Sequence, residues 1–212
     1  MIQTARPILQ QVSYELGEET TDASSARLSY FNKAVHFYFS KHPWKFRIKS
    51  YDLTLTTSKE YDLTSLISDY DTTFGLYLVE DENGKQIEPI DFFDKNKTLT
   101  DVYYYLTPNK KSIGFTSVEA DKIYKIYYYA VHINVSDADA TLNIPIPEAH
   151  SKPIQTLILF HVYNRKRQRN DARNAMLDFK EELEDAIVSE SKEKSIGNFP
   201  RVVPQTRKLL GL

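Results

Sequence analysis

The chain contains no cysteine, one tryptophan, two methionines and six glycines in 212 residues. The missing cysteine excludes disulfides, thiolate-ligated zinc and thiol nucleophiles. An excess of one charge is also lacking: 27 Lys and Arg stand against 29 Asp and Glu, a formal net charge of -2. That balance provides no whole-molecule attraction to nucleic acid or to an anionic membrane, so any such contact must be local. No apolar run approaches the roughly 18 residues that a membrane helix needs, and the opening MIQTARPILQQVSYELG is too polar for a signal peptide. A soluble chain without membrane contact is expected. Catalytic signatures are missing too: there is no GxSxG, Walker loop, GxGxxG or HExxH. The histidines at 36, 42, 132, 150 and 161 show no zinc-site spacing, and His36 and His161 read as residues at the edge of a core. Asp137 and Asp139 in VSDADAT lack the glycine and distal glutamate of a calcium loop and read as a turn. No enzyme, cofactor or metal site is expected.

What is abundant is aromatic: 15 Tyr and 11 Phe. Flat rings pack well on pleated sheets. VYYYLT (Val102 to Thr107) and YKIYYYAVHINV (Tyr124 to Val135) read as strands, in which neighbouring rings point to opposite faces. Were those rings exposed, they would form a stacking platform for sugars or single-stranded nucleic acid, the second functional reading.

Along the chain the hydrophobic period changes twice. Thr4 to Leu16 predicts a helix, with Thr4 as its cap, Pro7 in its first turn and Gly17 as its stop. A second helix follows EETTDASS, capped by Asp22, Ser24 or Ser25, with Leu28, Phe31, Val35, Tyr38 and Phe39 on one stripe and an end forced near Pro43. From Lys45 the period is two. Phe46, Ile48, Tyr51, Leu53 and Leu55 suggest a strand with a slip between Ile48 and Tyr51, readable as a bulge. TTSKE then predicts a hairpin into EYDLTSLI, and EDENGK an Asn-Gly turn after FGLYLVE. With SIGFTS and TLNIPI the total is about seven strands, which suggests an antiparallel sandwich or small barrel. After IPIPEAHSKP the helical period returns at Ile154, Leu157, Ile158 and Val162 and again at Ala172, Met176, Phe179, Leu183 and Ile187. The polar NRKRQRND between them admits either one long helix or two, with Asn170 or Asp171 capping the second.

The expected fold class is α+β. A small bundle is formed by helices from both chain ends (1–43 and 146–194), an antiparallel β-domain is inserted (44–145), and an extended tail follows (195–212). Pro43 and Trp44 fall at the joint, where a large ring can pack against both parts. Two charge blocks stand out. Arg165, Lys166, Arg167, Arg169 and Arg173 are basic, and Asp178, Glu181, Glu182, Glu184 and Asp185 are acidic. They read either as a solvated face or as a subunit interface in which the basic block of one chain meets the acidic block of the next.

Pro43-Trp44, Thr56 followed by Tyr61-Asp62-Leu63, and Ile144-Pro145 resemble packing motifs of the head-to-tail adaptor (connector) proteins of tailed bacteriophages. That resemblance covers most of the chain. It implies a structural virion protein made in the host cytoplasm. The protein would form a ring, usually dodecameric, beneath the portal at the capsid vertex. Its partners would be the portal protein, neighbouring copies of itself, a tail or next ring protein and, transiently, the DNA passing through the channel. It also implies that the tail docks on the portal, through Ile196, Phe199, Arg201, Val202, Val203, Arg207, Lys208, Leu209 and Leu210.

Overall fold

The computed structural model describes residues 1–97 and 99–193. In chain order these form α1 (Arg6–Glu15), α2 (Ser25–Phe39), β1 (Ile48–Thr54), β2 (Glu60–Asp62), α3 (Leu63–Leu66) and β3 (Leu76–Glu80). They continue with β4 (Tyr104–Leu106), β5 (Ser112–Phe115), β6 (Ile123–Tyr129), α4 (Ser151–Arg165) and α5 (Arg169–Glu193). Short 3-10 turns lie at Lys45–Arg47, Phe92–Asp94 and Glu148–His150. The architecture is mixed α+β: helices from both ends of the chain pack together, and two small antiparallel sheets lie between them in sequence. The predicted tail, from Ile196 to Leu210, lies outside the described residues.

Local chemistry explains most helix ends. Pro7 occupies the first turn of α1, and Gly17 follows its end at φ +69°, a conformation that glycine enters without a Cβ clash. The expected cap is not used, because Ala5 holds that position without a side-chain bond. Helix α2 is capped by Ser24, whose hydroxyl accepts from the Arg27 N–H, and its whole predicted stripe is buried. The NRKRQRND segment resolves into two helices. Arg167 takes the left-handed conformation at φ 59° and donates its N–H to Asn164 O at 3.1 Å, turning the chain back. Since α5 starts at Arg169, Asn170 and Asp171 lie inside its first turn and do not cap it.

Helix α4 is the centre of the bundle, packed against α1, α2 and α5. Neighbours on several sides demand apolar residues around most of its circumference, and Ile154, Leu157, Ile158, Leu159 and Val162 are all buried. Helix α5 covers α4 with one stripe only, in which Ala172, Ala175 and Phe179 are buried.

The strands pair differently from the sequence expectation. One sheet has the order β1-β6-β3 and the other β2-β5-β4. β1 and β2 therefore form no hairpin, since β1 runs against β6 and β2 against β5. Nor does β1 contain a bulge; its register with β6 is continuous from Ile48↔Tyr129 to Thr54↔Ile123. The apparent slip arises because the inward face carries Arg47 and Lys49 as well as Tyr51, Leu53 and Leu55. Two cations sit where the pattern called for apolar residues. The register irregularity is in β3, between Leu76 and Leu78. β6 ends at Tyr129, short of the predicted Val135, and TLNIPI forms no strand. Its Ile146 pairs as an isolated bridge with Ile2, fastening the start of the chain to the entry of α4. The expected Asn-Gly turn is present, with Gly84 at φ 76° and Glu80 bridged to Gln86.

The tyrosine runs are largely consumed by the core. Tyr104, Tyr105, Tyr124 and Tyr128 are buried, and Phe115 of β5 lies 4.8 Å from Tyr124 of β6, which joins the two sheets. Tyr105 lies over Gly114 of the neighbouring strand, where an added Cβ would come within 2.2 Å of the ring.

Candidate assembly interface

The seam between helices and sheets begins at Pro43. Trp44 is fully buried, its ring stacked on Tyr38 with centroids 4.7 Å apart. Its indole N–H donates to Tyr38 O at 3.2 Å, which uses a carbonyl near the end of α2. His150, from the turn before α4, meets the Trp44 ring edge-on at 4.9 Å, and its Nδ1 lies 2.7 Å from the Tyr38 hydroxyl. One ring thus joins the end of α2 to the turn before α4.

A second fastening, not foreseen from the sequence, is Arg47. Its side chain is 1% exposed and bridges both parts of the molecule. Nη1 donates to Phe39 O, in the last turn of α2, at 2.7 Å, and Nε donates to Ala130 O, just after β6, at 2.9 Å. Nη2 pairs with the Asp71 carboxylate, and the guanidinium also faces the rings of Phe39 and Phe74. Next to it, Lys49 Nζ donates to Asp69 Oδ2 at 2.6 Å, and Tyr128 OH donates to Asp69 Oδ1 at 2.9 Å. Burial alone would raise the Asp69 carboxyl, but these donors and Asn143 hold it below its usual value. An arginine in a strand-like stretch carries no sequence signal for this role; its partners meet only in the fold.

The far end of α5 is fixed at the same seam. Glu190 is buried, accepts the Lys45 N–H at 2.6 Å through Oε1, and has Oε2 2.8 Å from His42 Nε2. Burial pushes its carboxyl up, and His42 with the Lys45 N–H more than offsets that. Beside Glu190 lies an open groove of about 460 Å³. Its walls are Phe46, Pro147, Pro153 and Ala186, and Glu182 and Asp185 stand in it. Glu182 is half-buried, and its Oε2 is buried without a hydrogen-bond partner among the described residues. Burial raises its carboxyl, against the opposing pull of Thr156 and Lys152.

The two charge blocks occupy different parts of the α4–α5 hairpin. Arg165, Lys166, Arg167, Arg169 and Arg173 cluster at its turn, all exposed. Asp178, Glu181, Glu184 and Asp185 are exposed further along α5, with Glu182 half-buried between them. Among the described residues none of these ten side chains forms an ion pair within the chain. The histidines fall into structural places. His161 stacks on Tyr30 at 5.6 Å, His36 bonds Asn134 at 2.9 Å, and His132 is buried against Phe31 with Nε2 2.9 Å from Asn32 Oδ1. Asp139 pairs with Arg6. No group of acidic or histidine side chains among the described residues could hold a metal ion, and no helix there is long and apolar enough to cross a membrane.

No curated protein matches the sequence. The family profile of the SU10 adaptor proteins matches residues 3–203, a span that takes in every helix and strand described above. The chain therefore belongs to the SU10 adaptor protein family, the head-tail adaptors of phages.

Proposed function

We propose that this adaptor assembles as a ring beneath the portal, continues the DNA channel and offers the platform on which the tail is built. The observation that carries the reading is the family match over nearly the whole chain. The separate charge blocks of the α4–α5 hairpin, unpaired among the described residues, support contact between copies, since rim charges steer and orient association. Burial of Tyr104, Tyr105, Tyr124 and Tyr128 weighs against a glycan- or nucleic-acid-stacking module, because it removes those rings from solvent.

Attachment to the portal is assigned in this proposal to residues 195–212. That stretch carries Phe199, Val202, Val203, Leu209 and Leu210 together with Arg201, Arg207 and Lys208, and no acidic residue. One short peptide contact is weak by itself. A ring of them gains roughly 10² to 10⁴ in avidity once the first has docked. Native mass spectrometry with and without portal tests the assembly, and a chain truncated after Ser195 tests the attachment. The expected result is a portal-bound ring for the full chain and loss of portal binding for the truncated one. A full chain that neither self-associates nor binds portal refutes the proposal.

A further inference from the structure

The groove at the seam sets carboxylates of α5 beside flat apolar walls. Its floor is formed by one stripe of α5, with Glu182, Asp185, Ala186, Ser189 and Glu190 at helical spacing. Its walls come from the turns at Lys45–Arg47 and Glu148–His150 and from the start of α4. The Phe46 ring and two prolines provide flat apolar surface, which suits a guanidinium stem and face better than an ammonium. The charged groups facing it are unequally engaged. Glu190 is taken by His42 and Lys45 N–H, Lys152 is taken by Glu15 at 2.8 Å, and the Lys45 side chain and the His150 ring line the groove as well. Glu182 Oε2 is left buried without a donor, and Asp185 has no ion pair among the described residues. A carboxylate oxygen shielded from solvent gains from a donor that reaches it.

The same chain displays surplus guanidinium groups at the turn of the α4–α5 hairpin, with Arg167 at its apex. They cannot reach their own groove. Arg169 opens α5 and Glu182 lies 13 residues further on, which at 1.5 Å per residue is roughly 20 Å along one rigid helix. We infer that the groove receives Arg167 from the hairpin turn of a second copy of this chain, its guanidinium bonded to Glu182 and Asp185 and stacked between Phe46 and the prolines. Donor and acceptor surfaces then lie at different places on one subunit. The contact is heterologous, and repetition of it closes a ring or runs on as a filament. This inference rests on the ring reading above and assigns the residues of its subunit contact.

The test measures association of the full chain, alone and on assembled portal, by native mass spectrometry and sedimentation. Arg167→Glu and Glu182→Gln should each weaken association about 30-fold or more, since truncating one side of a buried charge pair leaves the other uncompensated. Their monomer melts should match the parent. Arg167→Lys should recover only part of the loss, because an ammonium lacks the bidentate fork. The paired reversal, Arg167→Glu with Asp185→Arg, should restore association. Parental association in both Arg167→Glu and Glu182→Gln overturns the groove assignment and leaves the ring reading standing. A parent chain that remains monomeric even on portal overturns both.

Discussion

In the helical bundle α4 meets its neighbours through Ile154, Leu157, Ile158 and Val162, whereas at the sheet β1-β6-β3 Arg47, in the turn before β1, and Lys49 point inward against Asp71 and Asp69. The two regions hold the same seam by unlike physics. Apolar packing is non-directional and loses stability in proportion to the volume removed. A buried ion pair contributes little net stability over a hydrophobic replacement, yet losing one partner strands the other charge in a poor dielectric. The bundle should therefore respond in graded fashion to truncation, and the ionic side abruptly.

The largest break is expected at Arg47. Arg47→Ala removes the bonds to Phe39 O and Ala130 O and leaves Asp71 without its counter-charge, so a loss of about 4–5 kcal/mol is expected in urea unfolding. Pairing it with Asp71→Asn should return part of that loss. An equal loss in the double variant would show that the guanidinium acts through its packing and backbone bonds and not through Asp71.

Trp44→Ala tests the apolar side of the comparison. It empties a fully buried site stacked on Tyr38 and should cost about 3–4 kcal/mol, read as a lower melting temperature. Trp44→Phe should recover most of it, because the stacking surface is kept and only the bond to Tyr38 O is lost. A variant whose melt overlays the parent would remove Trp44 from the seam.

Acid sharpens the contrast with the smallest effect. His132 is buried beside His36, and burial first, then that neighbour, depresses its pKa to about 4. Its ordinary value in an unfolded chain is near 6.5. Between those values the unfolded state binds the proton that the native state refuses, so stability rises with pH across this window. The contribution is complete above about pH 6.5 and is lost as the pH falls toward about 4, with a magnitude on the order of 2–3 kcal/mol. Unfolding curves at several pH values should show this slope, and His132→Asn should flatten it. A slope unchanged in that variant assigns the proton to another group.

The sequence disclosed the faces of elements better than their partners. The stripe of α2 and its end before Pro43 were legible because hydrophobic period and capping are local properties. The β1–β6 pairing was not, since alternation identifies a face without naming the strand beside it. Arg47 and Lys49 compounded the difficulty, for inward cations imitate the solvent face until Asp71 and Asp69 come into view. On the α4–α5 hairpin the charge blocks were evident in the sequence, but the groove beside α5 was not. It is assembled from Phe46, Pro147, Pro153 and Glu182, residues that are brought together only by the folded chain.

The grip of Glu190 on the backbone of Lys45 has a mechanical consequence. A tension applied beyond the end of α5 meets this cross-tie within its last turn. The load is passed to the Lys45 backbone, from which Trp44 hands it to Tyr38 in α2 and Arg47 hands it to Ala130 beyond β6. Force entering there would be shared between helix and sheet, as a bracket shares it when its bolt passes through both plates.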